Sequence, residues 1–147
     1  MKRTFLVFAM FVIPISAHAQ TASETIERAL AAAPGRSREA TAVIKWNADY
    51  TYETLREGTN RLVCYDRSGE NGRPAFAVQC TSIANLDRIA QNRRFAAAGA
   101  DRAAVRTMVE AAEADGTRVS MEYWSVWIAM NGEDQESART HRTIGVP

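Results

Sequence analysis

The sequence predicts an α+β domain, an antiparallel sheet of about five or six strands with helices packed on one face. Three observations carry that expectation. The apolar period runs helical, then strand-like, then helical, then strand-like again, which is the order expected when strands and helices segregate into layers. The strand-like stretches are rich in β-branched and aromatic residues and are bounded by turn residues. Their connections are too short for the crossover that sequential parallel neighbours need, so consecutive strands are expected to pair antiparallel.

The first nineteen residues stand apart from that domain. Lys2 and Arg3 precede an apolar run over residues 5–15 and small residues at Ala17 and Ala19, the three-part grammar of a secretory leader cleaved before Gln20. The apolar run spans about eleven residues where a bilayer needs about twenty. The expectation is therefore a signal peptide over 1–19 and a single domain over 20–147, exported and with no membrane span once the leader is removed. Lys2 and Arg3 leave with the leader, which brings the chain's 18 basic residues below its 17 acidic ones. A balance this close to neutral gives no electrostatic reason to bind nucleic acid.

Along the mature chain, residues 21–33 read as a first helix. Thr21 and Glu24 have capping-box spacing, Ile26 and Leu30 share a face, and Pro34-Gly35 ends it. ATAVIKW (40–46) and YTYETL (50–55) flank a turn at Asn47-Ala48-Asp49 and predict a hairpin; RLVCYD (61–66), after Gly58-Thr59-Asn60, predicts a third strand. Ser82 is placed to cap a helix with Ile83, Leu86, Ile89 and Ala90 on one face and Gly99 at its end. Asp101 is placed to cap a second helix carrying Ala104, Val105, Met108, Val109 and Ala112. Strand character returns in RVSMEYWSVWIAM (118–130), where Val119, Met121 and Tyr123 alternate with polar residues. A polar loop then leads to a final strand in RTHRTIGVP.

Cys64 and Cys80 are the chain's two cysteines. An antiparallel register that sets Cys64 opposite Cys80 also sets Tyr65 opposite Gln79 and Asp66 opposite Val78, and it centres the connection on Gly72, inside the most turn-prone stretch of the sequence. Directly opposed residues bring their Cβ atoms to about 4.5–5.5 Å, within reach of a bond, and an exported location preserves that bond. A redox pair has its cysteines two residues apart near a helix start. A metal site needs about four ligands, yet His141 is the one histidine after the leader and neither cysteine has a ligand-spaced partner. The pair reads as a structural disulfide, and no metal or other cofactor is implied.

His141 is the one candidate catalytic side chain. With a carboxylate such as Asp66 or Glu53 to orient it, it could act as a general base, but neither a G-x-S-x-G elbow nor an S-x-x-K pair supplies a nucleophile. For binding, the candidates are Arg56 and Asn60 in the polar run REGTNR, Asp66 at the end of the third strand, and Trp124. On a regular strand Trp124 and Trp127 point to opposite faces, so one of them is expected outside the main core. The adjacent Arg93 and Arg94 read as a solvated helix face.

LREGTNRLVCYDRSG, followed by FAVQCTS and the closing THRTIGVP, resembles a group of short exported bacterial proteins that share a leader, a Leu-Arg-x-Gly-Thr-Asn turn, a cysteine soon after it and a β-strand tail. The resemblance covers roughly residues 55–92 and the C-terminus. It implies export and brings no catalytic or ligand residues with it. The expectation from the sequence is a small exported protein, periplasmic where the source has two membranes, that acts by binding an envelope protein or a small ligand. The alternative is a small envelope hydrolase using His141 with a carboxylate.

Overall fold

A computed structural model describes residues 21–147; the leader expected over 1–19 lies outside the described residues. The chain forms a six-stranded open sheet with helical elements before and between the strands, an α+β arrangement. Helix α1 is Ala22–Ala29. Strands β1 (Ala42–Trp46), β2 (Tyr52–Arg56), β3 (Leu62–Asp66) and β4 (Phe76–Ser82) follow. Helices α2 (Leu86–Ala98) and α3 (Arg102–Ala114) separate these from β5 (Val126–Gly132) and β6 (Arg139–Ile144).

Local chemistry sets the helix starts. Thr21 Oγ1 accepts from the Glu24 N–H at 3.2 Å while the Thr21 N–H donates to Glu24 Oε2 at 2.8 Å, the expected capping box. Asp101 accepts from the Ala104 N–H at 2.9 Å and opens α3 as expected. Helix α1 ends earlier than the sequence suggests, tightening into a 3₁₀ turn at Leu30–Ala32 before Pro34. Ser82 does not cap α2. A 3₁₀ turn over Ile83–Asn85 intervenes, and the Ser82 hydroxyl makes no capping bond.

The strand order is β2-β1-β3-β4-β5-β6, and every neighbouring pair is antiparallel except β1 and β3. The expectation that consecutive strands pair throughout therefore fails at one place. β3 does not return beside β2 but crosses to the far side of β1 and runs parallel to it, with Ala42 opposite Val63 and Val43 opposite Cys64. The five residues between β2 and β3 pass over the chain entering β1. Gly58 makes this crossing possible, because a Cβ there would lie 2.4 Å from the Ala42 nitrogen and 2.8 Å from the Ala40 oxygen. The N–H groups of Thr59 and Asn60 both donate to that Ala40 oxygen, at 2.8 and 3.1 Å.

A second difference concerns the helices, which cover both faces of the sheet instead of one. Because side chains alternate across a strand, Val43, Cys64, Val78, Cys80 and Ile128 face one way and pack on Ala29 and Leu30 of the α1 segment. Ile44, Val63 and Tyr65 face the other way and pack on Leu86 and Ile89 of α2. β4, at the centre, is buried along its whole length, and β6 is exposed along its whole length as one edge of the sheet.

Candidate functional site

The segment between α3 and β5 shapes an open groove at one end of the sheet. Its alternation of Val119, Met121 and Tyr123 predicts strand, but β5 begins only at Val126. Side chains of α2 capture the backbone instead. Arg88 donates to the Val119 carbonyl at 2.6 Å, the Val119 N–H donates to Gln91 Oε1 at 3.0 Å, and Gln91 Nε2 donates to the Thr117 carbonyl at 2.9 Å. Asn85, fully buried, anchors the end of this segment: its Oδ1 accepts from the Glu122 N–H at 2.8 Å, and its Nδ2 donates to Thr81 Oγ1 at 3.1 Å and Ser125 Oγ at 2.9 Å. A buried amide satisfied on both sides in this way fixes one conformation, because any other leaves polar groups dry and unpaired.

That anchorage presents Trp124 to solvent. Its backbone is left-handed, φ 64°, and the residue is 73% exposed. Its N–H donates to the Gly145 carbonyl at 2.6 Å, and the Gly145 N–H returns a bond to the Ser125 carbonyl at 3.0 Å, so the tail holds the strained residue in place. A bulky residue in this region costs about 1–3 kcal/mol and persists only where its surroundings enforce it. Beside Trp124 lies an open groove of about 460 Å³ whose walls include Pro34, Asn60, Leu62, Tyr123 and Val126. Ser82 also lines it, its hydroxyl buried and without a hydrogen-bond partner among the described residues.

Exposed apolar surface concentrates at this end of the sheet. Among the described residues the large exposed hydrophobic side chains are Tyr52, Ile83, Tyr123, Trp124, Ile144 and Val146. Ile144 ends β6 opposite Val126, Val146 follows it, Ile83 follows the last residue of β4, and Tyr123 and Trp124 lead into β5. Only Tyr52 lies at the opposite end, paired with Trp46. Arg61, largely exposed and ion-paired with Glu122, stands at the same groove.

Of the residues singled out from the sequence, the structure brings Asn60 and Trp124 to one groove. Asn60 is consumed by the fold, since its Nδ2 donates to the Ser37 carbonyl and Thr41 Oγ1, both at 3.3 Å, and its Oδ1 accepts from the Leu62 N–H at 2.8 Å. Arg56 is likewise an anchor, donating to the carbonyls of Arg38 (2.5 Å) and Thr41 (2.6 Å). The Leu-Arg-x-Gly-Thr-Asn stretch thus clamps the β2–β3 crossing onto residues 37–42. Asp66 pairs with Arg28 at 2.8 Å and accepts from the Ser68 N–H and hydroxyl, tying α1 to the β3–β4 connection.

His141 sits exposed on β6 opposite Ala129. Asp66 is three strands away and Glu53 five, about 14 and 24 Å at ordinary strand spacing, so the expected orienting carboxylates are not assembled with it. Cys64 and Cys80 stand directly opposite as a disulfide pair with a Cα–Cα distance of 4.0 Å, both fully buried, in the register the sequence predicts. Trp127, on β5, packs against the α2-side core. Trp124 lies outside it, but not through strand alternation, because it precedes β5 in a turn with a left-handed backbone. Arg61 closes the polar run REGTNR, which the sequence leaves open between a tight turn and the rim of a site, and it does line the groove. The sequence reading missed Ser82 and Glu122 as lining residues, because only the meeting of the crossing, the end of β4 and the segment before β5 brings them there. Among the described residues no group of three or more His, Cys, Asp or Glu side chains could hold a metal ion, and no helix is long and apolar enough to cross a membrane. No protein family, curated protein or solved structure matches the chain.

Proposed function

We propose that the chain is an exported, periplasmic or secreted binding module that contacts another envelope protein through the groove at the Trp124 end of the sheet. The observation that carries this reading is the gathering of Ile83, Tyr123, Trp124, Ile144 and Val146 at one end of the sheet, while the other large apolar side chains among the described residues, Tyr52 apart, are at least partly covered. Contiguous exposed apolar surface marks interaction sites, and Trp, Tyr and Arg are the residues most enriched where protein interfaces concentrate their binding energy. Arg61 supplies the third of these at the groove's rim. A strained, exposed tryptophan held by a satisfied buried network is preorganised, so little ordering entropy is lost when a partner covers it. Export is supported by the leader grammar of residues 1–19 and by a buried cysteine pair suited to an oxidising compartment.

The test is site-specific photo-crosslinking in intact cells. A photoreactive residue at position 124 or 123 is expected to give a discrete adduct that the same residue at Arg106, on the exposed face of α3, does not give. Equal adduct patterns from positions 124 and 106 would remove the groove as the contact surface. In the same preparation, esterase, peptidase and glycosidase substrates are expected to be left intact; an activity abolished by His141→Ala would instead support the hydrolase alternative.

A further inference from the structure

On the α2 side of the sheet, remote from the groove, a cavity of about 310 Å³ lies between the sheet face and the second half of α2. Its sheet side is Tyr65, Gln79 and Trp127; its wall from α2 carries Arg93; and the β3–β4 connection contributes Arg67, Glu70 and Arg73. Three guanidinium groups therefore converge on a space containing one carboxylate. Glu70 is fully engaged by two of them. Arg67 donates to its Oε2 through Nε (2.9 Å) and Nη2 (2.6 Å), and Arg93 donates to its Oε1. Arg73 is left with its closest carboxylate oxygen 4.0 Å away, too far for a hydrogen bond.

The donors are held in place, not merely adjacent. Arg93 is only 18% exposed and its guanidinium lies over the Trp46 ring at 4.7 Å and the Tyr65 ring at 5.7 Å; its Nε is buried with no partner among the described residues. Gln79 is buried too, and its Oε1 accepts from Arg67, which fixes that guanidinium against the sheet. Burial depresses the proton affinity of both Arg73 and Arg93, reinforced at Arg73 by the proximity of Arg67 and opposed at Arg93 by Glu70. The site thus holds an excess of two positive charges that its own residues do not neutralise.

We infer that this pocket binds a dianionic oxyanion group, phosphate, either as the free ion or as the terminal group of a small ester. Two charges match the excess, planar guanidinium forks match its oxygens in pairs, and the volume is that of a small-molecule site. The site is independent of the groove and does not rest on the proposed contact there.

Isothermal titration of the purified exported protein with inorganic phosphate and with glycerol phosphate, at ionic strength fixed by sodium chloride, decides it. The expected result is saturable binding of one anion per chain in at least one titration, the tighter of the two identifying the source. Arg73→Gln removes the least engaged guanidinium and should fold normally by circular dichroism. It is expected to weaken binding at least about tenfold, the loss of one charge-assisted contact. Arg106→Gln, an equal charge change on exposed α3, should bind like wild type. Absence of saturable binding in both titrations, or equal weakening by Arg73→Gln and Arg106→Gln, overturns the inference, the second because it would reduce the effect to overall charge.

Discussion

Replacing Gly58 with alanine tests the crossing on which the strand order depends. The added Cβ would lie 2.4 Å from the Ala42 nitrogen, 2.8 Å from the Ala40 oxygen and 2.9 Å from the Ala42 Cα, so one backbone segment must retreat by about 1 Å to restore ordinary contact near 3.4 Å. That segment has little freedom. Its Ala40 oxygen receives the Thr59 and Asn60 N–H groups, and the β1–β3 pairing it enters rests on two residue pairs. Overpacking costs about 1–3 kcal/mol and each weakened hydrogen bond about 1 kcal/mol. Against this, alanine restricts the unfolded chain and returns about 0.4–1 kcal/mol, because Gly58 is not in the left-handed region. The net expectation is a loss of about 2–3 kcal/mol. Gly69→Ala is the matched control: the position is equally free of positive φ, but a Cβ there meets nothing within 4 Å, so it should be neutral or slightly stabilising. Urea unfolding followed by far-ultraviolet circular dichroism measures both. A Gly58→Ala protein within about 0.5 kcal/mol of wild type would refute the close crossing and with it the parallel placement of β3.

Asn85→Ala should cost about 2–4 kcal/mol, since it orphans the Glu122 N–H and the Thr81 hydroxyl in a buried site; limited proteolysis should then cut within residues 118–125 before elsewhere. Trp124→Gly relieves the left-handed strain and should raise stability by up to about 1 kcal/mol while abolishing the adduct formed from a photoreactive residue at position 123; a destabilised variant would show that the ring is held by the fold. Burial raises the pKa of the Tyr65 phenol far above its ordinary value near 10, so the folded state keeps this proton where the unfolded chain loses it. The resulting stability is complete below pH 10 and falls as pH rises beyond it, and ultraviolet titration should show one tyrosine that ionises only on unfolding. Reduction of Cys64–Cys80 should remove about 3 kcal/mol, a large part of a total of about 5–15 kcal/mol, and denatured unreduced protein from the oxidising compartment should present no alkylatable thiol; two such thiols would remove the staple.

What the sequence made legible is what short-range chemistry decides. The Thr21–Glu24 capping box, the Asp101 cap and the Cys64–Cys80 register each depend on residues within one turn or one hairpin of each other, and each stands in the structure. The crossing of β3 over β1 was not legible because Gly58-Thr59-Asn60 has the composition of a hairpin turn. Its distinguishing partners, Ala40 and Ala42, carry no signal of their own. Residues 118–125 misled for a different reason: their alternation is genuine, but the Asn85, Arg88 and Gln91 side chains meet backbone groups that a neighbouring strand would otherwise satisfy. One of Trp124 and Trp127 does lie outside the core, but the reason expected from the sequence does not hold: Trp124 precedes β5 in a left-handed turn, so alternation along a strand does not set its direction.

Both candidate sites fall where a local rule is broken and the surroundings enforce the breach. Trp124 occupies a backbone region that suits glycine, yet Asn85 and the Gly145 bonds hold it there. Arg93 reads from its neighbour Arg94 as part of a solvated helix face, yet it turns inward against two aromatic rings beside two other arginines. A sequence selected only for stability would remove both features at little cost, with glycine or asparagine at position 124 and an uncharged residue at position 73. Both features flank a disulfide-braced sheet whose central strand is wholly buried. That is the arrangement by which a scaffold keeps strained or unneutralised groups ready for something outside the chain to satisfy them.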